Sequence, residues 1–430
     1  MKQFWVFWLG LLAFSIWSFG LTDPNLVLTS FEPYLKFQYK IWHFAADYRQ
    51  VYTYIYMGII SWLFMSYFWL VKWLRQNKLS LNVKNAVLCF FVLISPLLFS
   101  YNALSHDVFN YLFNAKMVVL YQANPHIKVA LDFTSDDWTR FMHNTHTPAP
   151  YGYGWTFFSL IPFSLGFGKF TFTWLLFRLT SVVSLILTFI ALRVFAKVTK
   201  IKIELADLAL FFLNPLVLIE IISNQHNDLW MMAPIIFSIA ILARKPTRNL
   251  FRTLSLSGLL FLTSISIKYA TLALTPLWLL VAAIYRFEEQ LFQNLRRRFH
   301  LPEKIINVGI SFFSNKFFGL VPTAAAILML LPLFTERSQQ FLPWYLVWSL
   351  VWLPFIKSPI IKSTLIVFSL SSLLRYLPWI WEGGYGLEAL GQQKMITWLI
   401  PAAWLIFQLA KSKKTSPSEP VELFGKTIDD

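Results

Sequence analysis

Charged residues are scarce in this chain. Only 13% of its 430 residues are Asp, Glu, Lys or Arg, about half the share of an ordinary globular domain, whereas 57% are apolar. The apolar residues form runs of about 17–25, the length that crosses about 30 Å of hydrocarbon. A simple soluble domain is therefore excluded, and we predict an all-α polytopic membrane protein.

Cysteine is nearly absent too, because Cys89 is the single one, and no internal disulfide can form. The sequence also lacks a phosphate-binding Gly-rich loop, a dinucleotide fingerprint, a Ser-His-Asp order and Cys-rich metal spacing. We therefore expect no nucleotide-driven chemistry, and we expect an activated substrate that is itself carried by the membrane. The net charge of +16 does not indicate nucleic acid, since no basic soluble domain is present. It predicts Lys and Arg beside anionic membrane lipid.

We predict about twelve membrane crossings. Their approximate ranges are 4–21, 51–74, 85–104, 170–196, 205–222, 229–243, 254–267, 270–285, 317–333, 341–356, 363–379 and 393–410. With both termini in the cytoplasm, most of the 37 Lys and Arg fall in inner segments, as the positive-inside rule requires. The same topology leaves His300 as the single inner histidine. It fits a protein of a prokaryotic plasma membrane whose N-terminal apolar run is a retained helix.

These crossings divide the chain into three parts. Residues 1–84 form an N-terminal helix pair, residues 85–410 form the main transmembrane domain, and residues 411–430 form a polar, disordered tail. The main domain has a large outer loop over 105–168. Its segment 153–167 is apolar enough to cross, but a crossing there would place the later basic clusters outside. We therefore expect an interfacial or re-entrant piece.

The outer loop is where we expect the reaction site, because long polar loops in a compact protein are usually functional. It opens near Asp107, and residues 108–122 then carry apolar side chains at helical spacing, which predicts a helix lying flat on the membrane. The opposite face aligns Asp107, Asn110, Tyr111 and Asn114. A carboxylate at an apolar boundary can serve as a general base. A second interpretation is that Asp107 is only the N-cap of the surface helix.

Other polar residues lie at predicted membrane boundaries. Asp228 ends a polar turn over 224–228 and is suited to a sugar hydroxyl or a metal, although an N-cap is again the simpler explanation. Lys268 lies in a short hairpin, where an ammonium must snorkel or find an anion such as a lipid phosphate. His146 is a candidate for phosphate or metal in a loop whose prolines and glycines otherwise only set a backbone shape.

Aromatic side chains are abundant near a third boundary. Trp344, Tyr345 and Trp348 can stack on a sugar or pack against a polyprenyl chain. An interfacial aromatic belt is the more common explanation. We count Tyr111, Asn114, Trp344 and Tyr345 as candidate acceptor-side or shape-setting residues.

The order of these motifs resembles the GT-C superfamily of integral-membrane glycosyltransferases, which use polyprenyl-phosphate sugars. The nearest likeness is to the polyprenol-phosphomannose-dependent α-mannosyltransferases of bacteria. The stretches that carry it are SHDVFNYLFNAKMVVLYQANPH (105–126) with HTPAPYGYG (146–154), NPLVLIEIISNQHNDLWMMAP (214–234) with SISIKYATLALTPLWLL (264–280), and FLPWYLVW (341–348). The chain departs from the family in having Tyr153 where a proline is frequent, and in the two helices that precede the one leading to Asp107.

The resemblance implies roles for the matched positions. Asp107 corresponds to the catalytic base, and Lys268 to the cation beside the lipid phosphate. The positions that correspond to the donor or metal site are His226, Asn227 and Asp228. The positions that correspond to the element setting the loop shape are Pro150, Tyr151 and Gly152.

We therefore expect an inverting glycosyltransferase that acts on the extracytoplasmic face. It would move a sugar, mannose by the resemblance, from a polyprenyl phosphate to a hydroxyl of a glycolipid, polysaccharide or protein. Lys268, with His146 or His226, would stabilise the departing phosphate. No cofactor is required by the sequence, and Asp107 and Asp228 are the candidate ligands if a divalent cation takes part.

Two alternatives stay open. A transporter or flippase of lipid-linked sugars would place charges at mid-membrane and often has repeated halves. Here the acids and histidines gather at one surface, and Arg178 is the clearest mid-helix charge. A polysaccharide polymerase would share the outer loop and use a different donor.

Overall fold

The structure is a computed structural model that describes residues 2–27, 29–78, 83–244, 250–299, 303–336, 340–384 and 386–415. Across these ranges all regular elements are helical, and no strand is present, so the predicted all-α class is confirmed. The α-helices, labelled α1 to α17 in chain order, are Lys2–Ser18, Glu32–Asp47, Arg49–Gln76, Val83–Ile94, Asp107–Val119, Tyr153–Leu165, Phe170–Thr199, Leu205–Phe212, Pro215–Leu218, Asp228–Leu242, Leu250–Ile267, Thr275–Phe299, Glu303–Leu328, Val347–Leu350, Pro359–Leu374, Leu377–Glu382 and Leu387–Thr415.

Seven helices of the described ranges are long and apolar enough to cross a membrane, as expected for a membrane protein. They are Lys2–Leu21, Arg49–Gln76, Phe170–Thr199, Leu250–Ile267, Lys316–Phe334, Pro359–Glu382 and Leu387–Ser412. An eighth arises if Leu205–Phe212 and Pro215–Ser223, which meet at 54°, form one broken span. Three shorter apolar helices cover Lys84–Phe99, Asp228–Leu242 and Tyr269–Ile284. The number of about twelve crossings stays a prediction.

The bend in the broken span has a local cause. Pro215 has no N–H to donate and cannot continue α8. Asn214 precedes it, and its side chain accepts a hydrogen bond from the Leu216 N–H at 3.0 Å, which starts α9 with a new cap. The chain therefore changes direction within the bundle, and the following residues lead to the polar turn at 224–228.

The N-terminal helices bond directly to the remainder of the bundle. In α1, Ser15 donates to the Pro96 carbonyl at 2.8 Å. In α3, Tyr56 donates to the Leu373 carbonyl at 2.9 Å and Tyr67 to the Leu210 carbonyl at 2.8 Å. The separation of 1–84 from 85–410 stays a prediction. Helix α2 was not predicted, because its polar residues exclude a crossing and no motif marks it.

Helix α5, Asp107–Val119, covers most of the predicted helical segment 108–122, and protein encloses it. Besides the apolar Phe109 and Leu112, the polar Asn110 and Tyr111 are buried. Helices α6 and α7 pack over α5, and Phe109 stacks on Phe170 with 6.1 Å between ring centroids. The polar face of α5 is therefore turned into the protein, and the orientation of this helix relative to the membrane stays a prediction.

Three other segments with predictions are 153–167, 341–356 and the tail 411–430. The segment 153–167 is largely the helix α6. Residues 341–356 contain only a 3-10 turn, Pro343–Leu346, and the four-residue α14, rather than one continuous crossing. In the predicted tail, residues 411–415 extend α17, whereas 416–430 lie outside the described residues, as do Lys245, Arg248, His300 and Arg337.

Candidate active site

Two carboxylates occupy equivalent positions on two helices. Asp107 is the first residue of α5, and Asp228 is the first residue of α10. The N-cap positions are His106 and Asn227, and neither forms a side-chain cap hydrogen bond. Both carboxylates therefore lie at the positive end of a helix dipole, which favours negative charge. Neither acid is therefore an N-cap residue, because each follows the N-cap position of its helix.

Tyr151 and Lys268 connect the two carboxylates. The Tyr151 hydroxyl donates to Asp107 Oδ2 at 2.6 Å, and Lys268 Nζ donates to Asp228 Oδ1 at 2.7 Å. Lys268 Nζ also lies 5.2 Å from the centroid of the Tyr151 ring. Four residues from four separate stretches of the sequence thus converge. With His226 they form what we call the Asp107 cluster.

His226 lies between Asp107 and a second buried acid. Its Nδ1 is 3.8 Å from Asp107 Oδ2, and its Nε2 is 3.4 Å from Glu220 Oε2. The ring stacks on Trp344 with 3.7 Å between centroids and is fully buried. Burial, reinforced by the positive charge of Lys268, lowers the pKa of His226 well below its usual value. The imidazole is therefore neutral near neutral pH.

Asp107 has the protonation behaviour of a candidate base. Burial is the main cause that raises its pKa above the ordinary value; the Tyr151 hydrogen bond and the charge of Lys268 oppose this, and the charge of Asp228 adds to it. About 15% of the side chain remains exposed, so a substrate can reach it. A raised pKa brings a carboxylate closer to the working range of a general base.

The polar turn at 224–228 rests on a buried network. Gln225 has a left-handed backbone with φ of +61°, a conformation that costs a non-glycine residue about 1–3 kcal/mol. Its side chain donates to Asn102 Oδ1 at 3.2 Å, and the Asn102 amide donates to the Ser223 carbonyl at 3.0 Å. Arg178, the mid-helix charge noted in the sequence, also donates to the Ser223 carbonyl, at 3.3 Å. These contacts hold the turn that carries His226 and Asp228.

The Pro-Tyr-Gly element packs tightly against the hairpin that carries Lys268. The Gly152 N–H donates to the Ile267 carbonyl at 3.0 Å. A Cβ at Gly152 would lie 2.0 Å from the Ser266 carbonyl oxygen, and one at Gly154 would lie 2.2 Å from Ser266 Oγ. Only glycine permits this approach, which sets Tyr151 beside Lys268.

Aromatic side chains from 344–348 lie against the other side of the cluster. Trp348 Nε1 donates to Asp228 Oδ1 at 2.5 Å, and Trp344 stacks on His226. Tyr345 stacks on Trp348 with 4.7 Å between centroids. Trp344 and Trp348 therefore contact the polar site, and Tyr345 packs against both of them.

The remaining predicted site residues differ in burial and in their contacts with the Asp107 cluster. Tyr111 is buried, and its hydroxyl donates to the Tyr151 hydroxyl at 3.4 Å. Pro150 and His146 are exposed, and Asn114 is half-buried. Among the described residues, no hydrogen bond or ion pair joins His146 or Asn114 to the Asp107 cluster.

Sequence reasoning missed Glu220. This side chain is fully buried, and it accepts hydrogen bonds from the Asn224 amide at 2.9 Å and the Tyr376 hydroxyl at 3.0 Å. A signal was present, because an acid inside the apolar run Leu-Ile-Glu-Ile-Ile is expensive in a membrane and is usually functional. The run lies within the predicted crossing 205–222, and its one acid is not among the predicted site residues.

Several polar atoms of the site have no protein partner in the described ranges. They are Asn110 Oδ1, both ring nitrogens of His226, both amide atoms of Asn227, and Asp228 Oδ2. The His226 nitrogens are near carboxylates but are not aligned for hydrogen bonding. Buried polar atoms are rarely left unpaired, so these atoms mark a polar interior that water or a ligand can satisfy beside the two carboxylates.

Asp107 and Asp228 are the two acids predicted as ligands of a divalent cation. In the part of the chain that is described, no group of three His, Cys, Asp or Glu side chains is arranged to hold a metal ion. Asp107 is held by Tyr151, and Asp228 by Lys268 and Trp348. Lys268 is therefore the positive charge that this geometry provides.

Comparison with known proteins identifies the family. The family model described as "Alpha-(1->6)-mannopyranosyltransferase, N-terminal domain" matches residues 7–284, which is roughly two thirds of the chain. No curated protein and no solved structure matches significantly. The matched range contains Asp107, Tyr151, His226, Asp228 and Lys268. The chain therefore belongs to this mannosyltransferase family, in agreement with the resemblance to GT-C enzymes seen in its motifs.

Proposed function

We propose that this protein transfers a mannosyl group, with inversion, from a polyprenyl-phosphate donor to a hydroxyl of a glycolipid, polysaccharide or protein. Mannosyl transfer is what the family supports. The observation that carries the finer proposal is the short distance from a candidate base to a buried cation, through Tyr151. A base and a cation side by side suit a donor whose sugar leaves a phosphate, and the membrane setting of the site favours a lipid-linked one.

Asp107 is the proposed catalytic base. Tyr151 holds Oδ2, which leaves Oδ1 for the acceptor hydroxyl. The carboxylate takes the hydroxyl proton while the acceptor oxygen attacks the anomeric carbon. The bond from that carbon to the phosphate oxygen breaks on the opposite face, so the configuration inverts. The raised pKa of Asp107 suits this proton transfer.

Lys268 is the proposed partner of the departing phosphate. Its side chain is buried, and in the structure its charge is balanced by Asp228. A fixed ammonium in a site of low dielectric stabilises the negative charge that develops on the leaving phosphate. Asp228, itself held by Trp348, is then a positioning residue that aims the lysine. No metal ion is needed for this arrangement, although Asp107 and Asp228 remain the candidate ligands for one.

The sugar itself would be recognised by the unpartnered polar atoms. Asn227 offers both an amide donor and an amide acceptor, and neutral His226 offers one of each. Trp344, which stacks on His226, is an aromatic side chain of the kind on which sugar rings pack. Asn110 adds a further acceptor from α5.

The extracytoplasmic location is supported by the charge at the two ends of α7. The helix starts at Phe170, beside α5 and the site, and runs for 30 residues, or about 45 Å, to Thr199. The residues that follow are basic, including Lys200 and Lys202. The positive-inside rule puts that basic end in the cytoplasm and the Asp107 cluster outside.

The test is a transfer assay with purified protein and radiolabelled polyprenyl-phosphomannose. The enzyme should release polyprenyl phosphate in proportion to mannosylated acceptor. Asp107→Asn should abolish both products while the protein keeps its melting temperature. Asp137→Asn, which changes an exposed acid of the same outer loop, is the matched control and should retain activity.

Three outcomes would count against the proposal. Full activity in Asp107→Asn would remove the base assignment. Movement of intact donor across vesicles without release of polyprenyl phosphate would favour a transporter or flippase. Product formation from a different donor alone would favour a polymerase.

A further inference from the structure

A second concave site lies at the far end of the bundle. It is a groove of about 900 Å³ between the ends of α3 and α7 and the start of α8, and we call it the basic groove. The stretch of α7 from Phe170 to Phe189, about 28 Å long, separates it from the end of α7 that lies beside α5. It therefore has no part in the proposed reaction.

Positive charge dominates the lining of the basic groove. One acid, Glu204, faces five cations, namely Lys78, Arg193, Lys197, Lys200 and Lys202. Among the described residues, none of the five forms an ion pair with a carboxylate. Glu204 is already engaged in a reciprocal capping box with Asp207 at the start of α8. With five cations and one acid, the lining of the groove has a net charge of about +4.

The deeper wall of the basic groove is apolar. Phe189, Ile190 and Val194 of α7 line it together with Leu74 and Leu208. Phe189 precedes Lys200 by eleven residues, so the wall extends about 16 Å along α7 from the cationic end. A site with cations at its mouth and an apolar wall below is complementary to an amphiphile with an anionic head.

We propose that the basic groove binds an anionic phospholipid, with the headgroup phosphate at the lysines and the upper acyl chain along the α7 wall. Basic pockets between membrane helices on the cytoplasmic side are suited to such headgroups. A free phosphate would use the cations and leave the apolar wall without a function. A zwitterionic lipid would use the wall and leave the charge excess uncompensated.

The experiment compares lipid binding to the full chain purified in mild detergent. Native mass spectrometry measures the ratio of bound phosphatidylglycerol to bound phosphatidylcholine when both carry the same acyl chains. The test variant is Lys197→Gln/Lys200→Gln/Lys202→Gln. The control, Lys40→Gln/Lys128→Gln/Lys169→Gln, removes the same charge from three exposed lysines outside the groove.

The wild type and the control should retain phosphatidylglycerol preferentially. In the test variant the preference should fall on the order of tenfold to a hundredfold, since each lysine near an anionic headgroup contributes severalfold to affinity. Equal binding of the two lipids by the wild type, or an equal loss in both triple variants, would overturn the proposal. So would displacement of the bound lipid by millimolar inorganic phosphate alone.

A second variant keeps the test decisive if the triple variant does not fold. Ile190→Trp adds bulk to the apolar wall and retains all five cations. Because Ile190 is 43% exposed, the larger ring does not overpack the core. This variant should lose phosphatidylglycerol as well, and unchanged retention would contradict a seated acyl chain.

Discussion

The Tyr151 hydroxyl donates a 2.6 Å hydrogen bond to Oδ2 of Asp107 while the ring of the same tyrosine lies 5.2 Å from the ammonium of Lys268. One side chain thus contacts the candidate base and the candidate phosphate cation. This relationship makes the two groups one unit, and it gives a prediction that a purely structural role for Tyr151 does not share.

Tyr151→Phe should shift the pH dependence of transfer. The lost hydrogen bond stabilises the ionised carboxylate, so its removal raises the pKa of Asp107 further. Because the base must be ionised, the acidic limb of the kcat/KM profile should move upward by about 1–2 pH units, as expected for a charged hydrogen bond of about 1.5–3 kcal/mol. Tyr153→Phe, at an exposed neighbour, should leave the profile in place.

Lys268→Met should destabilise the protein as well as inactivate it. Asp228 would remain buried with its charge unpaired, which costs about 3–5 kcal/mol. The double variant Lys268→Met/Asp228→Asn removes both charges and should recover most of the melting temperature. It should remain inactive, because the cation for the phosphate is still missing. Recovery of activity together with stability would mean that the pair is only structural.

Gly152→Ala should reduce activity through backbone displacement. The added Cβ would lie 2.0 Å from the Ser266 carbonyl oxygen, so either the Tyr151 loop or the Lys268 hairpin has to move. Displacements of about 1 Å at a catalytic site can cost about a hundredfold in rate. The matched control is Gly258→Ala, where the added Cβ meets no atom within 4 Å and a helix gains about 0.5–1 kcal/mol. Comparable kcat values for both variants would contradict the shape-setting role.

Glu220→Gln should lower kcat and leave KM nearly unchanged. Glutamine can retain an acceptor for Tyr376, but it then places an NH2 group where a carboxyl oxygen accepts from Asn224 and lies 3.4 Å from His226 Nε2. The changed contact displaces His226 within the Asp107 cluster, and a displacement of about 1 Å at a reaction site can cost about a hundredfold in rate. Steady-state kinetics of this variant, with Glu204→Gln as a remote control, measure the effect. A rise in KM alone would assign Glu220 to substrate binding.

Most members of the site could be predicted from the sequence, whereas Glu220 was missed and the long-range contacts follow from no local pattern. Asp107, Asp228 and Lys268 stand out because charged residues are rare beside apolar runs, and the helix at 108–122 follows from its periodicity. The hydrogen bond from Trp348 to Asp228 joins residues 120 positions apart, and no local pattern encodes it. The short pieces at 343–350 look like a crossing by hydropathy, yet prolines at 343 and 354 interrupt the segment. His146 shares its loop with Tyr151 but faces outward, which composition does not reveal.

Acid should destabilise the outer loop through His106. Burial, together with the stacked His143 ring 3.8 Å away, lowers the pKa of His106 to about 3. The folded state therefore binds fewer protons than the unfolded state, in which the pKa is about 6.5. The resulting stability is fully present above that value and is lost progressively as the pH falls toward 3. His106→Gln removes the titrating ring, so its melting temperature should fall less between pH 7 and pH 5 than that of the wild type. His146→Gln, at an exposed position of the same loop, should follow the wild type, and parallel curves for all three proteins would show that His106 is not responsible.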